Sequence, residues 1–121
     1  MISVAILCTN EQKCTDFYTK GMGMTVASRL DSARQVEIAL GVPGGGTRIT
    51  LIYRKSTEAV PAQAWTTHFT LGVPDMKALE ARLVAAGYKL RGPITDRPQY
   101  RIALAFVEDP DGNVLELVQR K

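Results

Sequence analysis

The chain repeats itself. Ser3 precedes His68, and Asn10 precedes Asp75, by 65 residues, and Ile49-Thr50-Leu51-Ile52 precedes Leu115-Glu116-Leu117-Val118 by 66. A near-constant offset is the mark of a duplicated structural unit, and a drift of one residue fits a single insertion in a loop. Whatever the first half folds into, the second half should fold into again.

The first half reads as βαβββ. Ile2 to Cys8 is apolar with Val4, Ile6 and Cys8 on one side of a strand alternation. Thr9 and Asn10 offer capping side chains, Cys14, Phe17, Tyr18 and Met22 recur at helical spacing, and Gly21 and Gly23 supply stop signals. Three extended stretches follow at Met24 to Leu30, Arg34 to Leu40 and Thr47 to Arg54, the last alternating Ile49, Leu51 and Tyr53. Asp31-Ser32 and the glycine-rich run through Gly44-Gly45-Gly46 separate them as turns; no helix follows those glycines, which argues for a hairpin loop over a phosphate cradle.

After an aperiodic connector the pattern restarts. Thr66 to Val73 is extended, Asp75 is a cap, and Met76, Leu79, Leu83 and Ala86 mark a helical face ending at Gly87. Strands are then expected at Tyr88 to Arg91, Tyr100 to Val107 and Asn113 to Gln119, with a Pro93/Pro98 loop and a tight Asp109-Pro110-Asp111-Gly112 turn between them. The expected fold is α+β. Residues 1–54 form one βαβββ module, 55–64 a connector and 65–121 a second module, with curled mixed sheets around a cleft in a single domain spanning 1–121.

With 45% hydrophobic residues among 121, such a domain can pack a core without a structural metal. The net charge of +3 is scattered, without the basic runs of a nucleic-acid binder. The apolar opening from Met1 to Cys8 is too short for a membrane span or signal core, so no membrane partner and a cytoplasmic location are expected. Cys8 and Cys14 then read as reduced, buried thiols.

The candidate chemistry centres on His68, the single histidine, and Glu116, a carboxylate between Leu115 and Leu117. Such a glutamate points either to solvent or into a site that compensates its charge. An imidazole and a carboxylate begin a divalent-metal site, but such a site needs at least three protein ligands. The repeat directs attention to Ser3 and Thr50, whose neutral hydroxyls compete poorly with water for a metal ion. Cys8, Glu11 and Glu37 contribute only if the backbone brings them near. Tyr53, Trp65 and Tyr100 are aromatics placed to stack on a planar ligand, and Arg97 and Arg101 flank Tyr100 where they would meet an anionic group.

The segments Phe17-Tyr18 with Gly23-Met24, Thr67-His68-Phe69-Thr70-Leu71, and Phe106 through the Asp109-Pro110-Asp111-Gly112-Asn113 turn to Leu117 resemble the vicinal oxygen chelate superfamily. That superfamily includes glyoxalase I, extradiol dioxygenases, fosfomycin-resistance proteins and metal-free bleomycin-resistance proteins. The resemblance implies four metal-ligand positions falling on Ser3, Thr50, His68 and Glu116, of which His68 and Glu116 match. It also implies a homodimer, because small two-module proteins of this kind assemble their clefts between subunits. The expectation is therefore a binding protein for a small organic molecule, using His68, Glu116, Ser3, Thr50, Tyr53, Trp65, Tyr100 and Arg101, with no cofactor. The alternative is a lyase, isomerase or dioxygenase whose Zn, Ni, Fe or Mn ion is held by His68 and Glu116.

Overall fold

A computed structural model of the chain describes residues 2–42, 47–55 and 68–121. The elements run β1 (Ile2–Cys8), α1 (Glu11–Asp16), a π-helical turn (Phe17–Gly21), β2 (Thr25–Asp31), β3 (Gln35–Gly41) and β4 (Thr47–Arg54). They continue with β5 (His68–Gly72), α2 (Met76–Ala85), β6 (Thr95–Arg97), a 3₁₀ turn (Pro98–Tyr100), β7 (Ile102–Glu108) and β8 (Val114–Arg120). All of the expected 55–64 connector except Lys55 lies outside the described residues, as do Trp65 and Gly44-Gly45-Gly46.

Both halves obey one plan. The first sheet has strand order β1-β4-β3-β2 and the second β5-β8-β7-β6, each with its first two strands parallel and its other neighbours antiparallel. The registers correspond as well: Ser3 pairs with Arg48 and Ala5 with Thr50, as His68 pairs with Val114 and Thr70 with Glu116. The helices start alike. Asn10 and Asp75 both have extended backbone and accept a hydrogen bond from an N–H three residues on, Lys13 and Ala78, each at 3.0 Å.

Alternation explains which strand faces are buried. Val36, Ile38 and Leu40 on β3, Ile49 and Leu51 on β4, Ala103, Ala105 and Val107 on β7, and Leu115 and Leu117 on β8 are all buried. Apart from Ala103 they join Phe17, Tyr18, Met76 and Leu83 of the helical segments in one core. Phe17 sits at its centre, edge-on to both Tyr18 and Tyr88 with ring centroids 5.0 and 5.1 Å away.

The modules join through helical elements. Arg82 of α2 donates from Nε to the Lys20 carbonyl at 3.0 Å and from Nη2 to the Thr19 carbonyl at 3.2 Å. Leu83 and Tyr88 press close on Gly21, where an added Cβ would lie 3.1 Å from Tyr88 and 3.2 Å from Leu83. A second tie runs from Tyr18 and Thr9 to the turn at residues 109–113.

Two local expectations need correction. Tyr88 to Arg91 is not a strand: the Arg91 N–H does reach the Phe106 carbonyl at 2.8 Å, but Gly92-Pro93 breaks the ladder and the chain returns to the sheet only at Thr95. Tyr100 belongs to the 3₁₀ turn rather than to β7, because Arg101 takes a left-handed φ of 55° before the strand begins.

Cys8 and Cys14 are joined in a disulfide, not free thiols. Only two residues separate β1 from α1, and the Asn10 cap turns the chain sharply enough to leave the two Cα atoms 6.1 Å apart, within bridging range. Among the described residues no helix is long and apolar enough to cross a membrane.

Candidate functional site

Glu116 lies between buried Leu115 and Leu117, so the pleat turns it to the outer face of the second sheet. There it is half-buried, and Thr70 of the neighbouring β5 donates from Oγ1 to its Oε1 at 3.0 Å. Phe106 of β7 pairs with Glu116 from the other side. His68 stands two residues before Thr70, opposite Val114. The arrangement is a carboxylate with a fixed hydroxyl donor on one flank and an aromatic ring on the other.

Thr50 holds the matching place in the first sheet, half-buried between Ile49 and Leu51, with Ser3 two residues along the neighbouring strand from Ala5. Glu37 shares that outer face on β3, opposite Ile52, and accepts from Gln35 Nε2 at 2.6 Å. Glu11 is committed elsewhere, bound by Arg29 from Nη2 at 2.9 and 3.2 Å and from Nε at 3.3 Å. Cys8 is spent in the disulfide.

The remaining candidates separate from this set. Tyr53 follows Ile49 and Leu51 in the alternation and packs against the core, on the face opposite Thr50. Tyr100 is 71% exposed in the 3₁₀ turn, and Arg97 and Arg101 flank it on the surface. Trp65 lies outside the described residues. Of the three conditional candidates, only Glu37 is brought to this face, as its alternation with Val36 and Ile38 implies, while Thr70, which the repeat equates with Ala5, was missed by the sequence reading.

The four corresponding positions offer one imidazole, one carboxylate and two hydroxyls. That donor set does not fit a four-ligand divalent metal centre, because two of its members bring neither charge nor a nitrogen donor. It fits hydrogen bonding to a polar organic ligand, with the carboxylate as acceptor and hydroxyls as either partner.

A cavity of about 360 Å³ lies elsewhere, at the module junction, lined by Met22, Met24, Val42, Leu71, Leu79 and Arg82 among others. Neither Thr50 nor Glu116 borders it. The outer faces belong to two separate sheets, and within one chain no strand of one pairs with a strand of the other among the described residues.

Tandem βαβββ modules with polar residues at equivalent places on their parallel strand pairs define a glyoxalase-like domain. Residues 2–117 match the model of the Glyoxalase/Bleomycin resistance protein/Dioxygenase superfamily, and the chain belongs to that superfamily. It is 31% identical over 117 residues to a probable lactoylglutathione lyase of Vibrio parahaemolyticus, covering 90% of this chain and 82% of the relative. A glyoxylase/bleomycin resistance protein/dioxygenase domain from Frankia sp. superposes with a TM-score of 0.79 at 20% identity, covering 100% of this chain and 91% of that one. The trypanothione-dependent glyoxalase I of Leishmania major does so with a TM-score of 0.73 at 25% identity, covering 98% and 85%.

Proposed function

We propose that the protein binds a small organic molecule against the outer faces of its two sheets, without a catalytic metal. His68, Thr70 and Glu116 supply the polar contacts of the second module, and Ser3, Thr50 and Glu37 those of the first. The observation that carries this reading is the pair of hydroxyl residues at the positions corresponding to His68 and Glu116. Because the two faces belong to separate sheets joined through helices, a homodimer is the assembly that encloses the ligand, the first module of one copy facing the second module of the other. Phe106 gives that cleft an aromatic wall.

A second reading is favoured by the 31% identity to a probable lactoylglutathione lyase. Here the protein is a metal-dependent lyase and Glu37 joins His68 and Glu116 as a third ligand. One experiment separates the two. Protein purified without chelators is assayed for bound Zn, Ni, Fe and Mn, for formation of lactoylglutathione from a 2-oxoaldehyde and glutathione, and for thermal stabilisation by a panel of planar aromatics and thiol conjugates. Binding without metal or turnover supports the first reading; stoichiometric metal lost in His68→Ala, together with turnover, sinks it.

A further inference from the structure

We infer that Cys8, Cys14 and Asp111 form a second site, distinct from the outer faces, which takes a soft divalent cation such as Zn²⁺ or Cd²⁺ when the sulfurs are reduced and is shut by the disulfide. One ligand atom from each residue lies within 4.8 Å of the other two. Zn–S bonds of about 2.3 Å and Zn–O bonds of about 2.0–2.2 Å in a tetrahedral shell require neighbouring ligands under about 4 Å apart. Opening the S–S bond and rotating two side chains brings the three donors into that shell, with water in the fourth position.

The three donors come from three different elements: the end of β1, α1, and the turn of the second module between β7 and β8. Cys14 is fully buried and Cys8 is 6% exposed, while half-buried Asp111 stands at the mouth. Thr9 holds Asp111 in place. Its hydroxyl donates to Oδ1, and its N–H lies 3.2 Å from Oδ1 and 3.3 Å from Oδ2. Among the described residues Oδ2 therefore carries only the longer of the two backbone contacts, which leaves it the oxygen better placed to meet a metal. Two thiolates with a single carboxylate select soft or borderline ions over Mg²⁺ and Ca²⁺, which demand oxygen-rich shells.

The chemistry balances with a dithiol as reductant. It passes two electrons and two protons to the Cys8–Cys14 bond, which breaks into two thiols, and leaves as its own cyclic disulfide. The cation then displaces both protons as it binds the thiolates. A small-molecule disulfide reverses the sequence: it takes two electrons from the two thiolates, which re-form the Cys8–Cys14 bond and release the metal ion, and it leaves as two thiols.

The test uses the full chain, reduced with a non-thiol phosphine, shown to expose two titratable thiols on denaturation, and titrated with Cd²⁺ under anaerobic conditions. A thiolate-to-cadmium charge-transfer band saturating at one equivalent is expected in the reduced protein and absent in the oxidised one. Cys14→Ser should abolish the band. Asp111→Asn, which still accepts from Thr9, should keep both thiols and weaken binding at least roughly tenfold; His68→Ala should leave the band intact. A reduced protein with two thiols and no saturable band overturns the inference, as does Asp111→Asn binding cadmium as tightly as the parent. Should Cys14→Ser fail to fold, the reduced and oxidised forms of the unaltered chain and Asp111→Asn still decide the question.

Discussion

Tyr18 donates its hydroxyl to Oδ2 of Asp109 at 2.7 Å, and through that bond the π-helical turn of the first module is tied to the β7–β8 turn of the second. Asp109 is itself the hub of that turn. Its Oδ1 accepts from the N–H groups of Asp111 and Asn113, both at 2.9 Å, and its Oδ2 also accepts from Asn113 Nδ2 at 2.7 Å. Gly112, at a φ of +84°, completes a reversal that a residue with a Cβ would make only with strain. The buried carboxylate thus has four donors, which is what permits it in the core.

Removing one of those donors should be costly. Tyr18→Phe keeps the ring and its contact with Phe17 but leaves Asp109 short of a partner, and it should lower stability by about 1.5–3 kcal/mol, read by urea unfolding at neutral pH. Asp109→Ala, which strands Tyr18 and dissolves the turn, should cost more than Tyr18→Phe. Equal stability of Tyr18→Phe and the parent would show that the bond contributes nothing net.

The same pair sets an alkaline limit. Burial, then the charge of Asp109 and its hydrogen bond, push the Tyr18 hydroxyl far above the ordinary tyrosine value of about 10. The folded state holds the proton while the unfolded chain releases it near pH 10, so this contribution is complete below that pH and falls away as pH rises beyond it. Melting curves from pH 7 to above 10 should show the gap between the parent and Tyr18→Phe narrowing on the alkaline side. A gap that widens there would contradict the assignment.

The disulfide makes a separate contribution. Cys8 and Cys14 are six residues apart, and closing so short a loop stabilises by about 2 kcal/mol through the unfolded chain. Reduction should lower Tm by roughly 5–10 °C in the absence of metal, and the doubly substituted Cys8→Ser/Cys14→Ser chain should no longer respond to reductant. A reductant-insensitive parent would mean that the bridge does not form in solution.

The repeat carried most of what the sequence could teach. It equated Asn10 with Asp75 before either was seen to cap a helix, and it equated Thr50 with Glu116, which the registers Ala5–Thr50 and Thr70–Glu116 uphold. Tyr53 was legible too, since it continues the parity of Ile49 and Leu51 into the core, away from the face where a ligand would stack. The disulfide was not legible, because the Cys8–Cys14 approach depends on how sharply the chain turns at Asn10, which a pattern of residue types does not encode. Nor was the shift of the sheet edge from Tyr88–Arg91 to Thr95–Arg97, where Gly92-Pro93 interrupts the ladder before the chain rejoins the sheet. How the modules sit together depends on single contacts such as Arg82 with the Thr19 carbonyl, and these leave no periodic trace.

If the outer faces bind the ligand, function and folding should separate by strand parity. Glu116→Ala removes a half-buried carboxylate whose hydrogen bond among the described residues comes from the exposed Thr70 hydroxyl, so stability should change by no more than about 1 kcal/mol while ligand affinity falls roughly tenfold or more. Its neighbour Leu117 faces the other way and is fully buried. Leu117→Ala should therefore cost about 2–5 kcal/mol in unfolding free energy and, in the fraction that remains folded, leave ligand affinity near that of the parent. Isothermal titration alongside urea unfolding on both variants checks the pair. Loss of affinity in Leu117→Ala but not in Glu116→Ala would move the binding site off this face of the sheet and toward the apolar cavity beside Leu71 and Leu79.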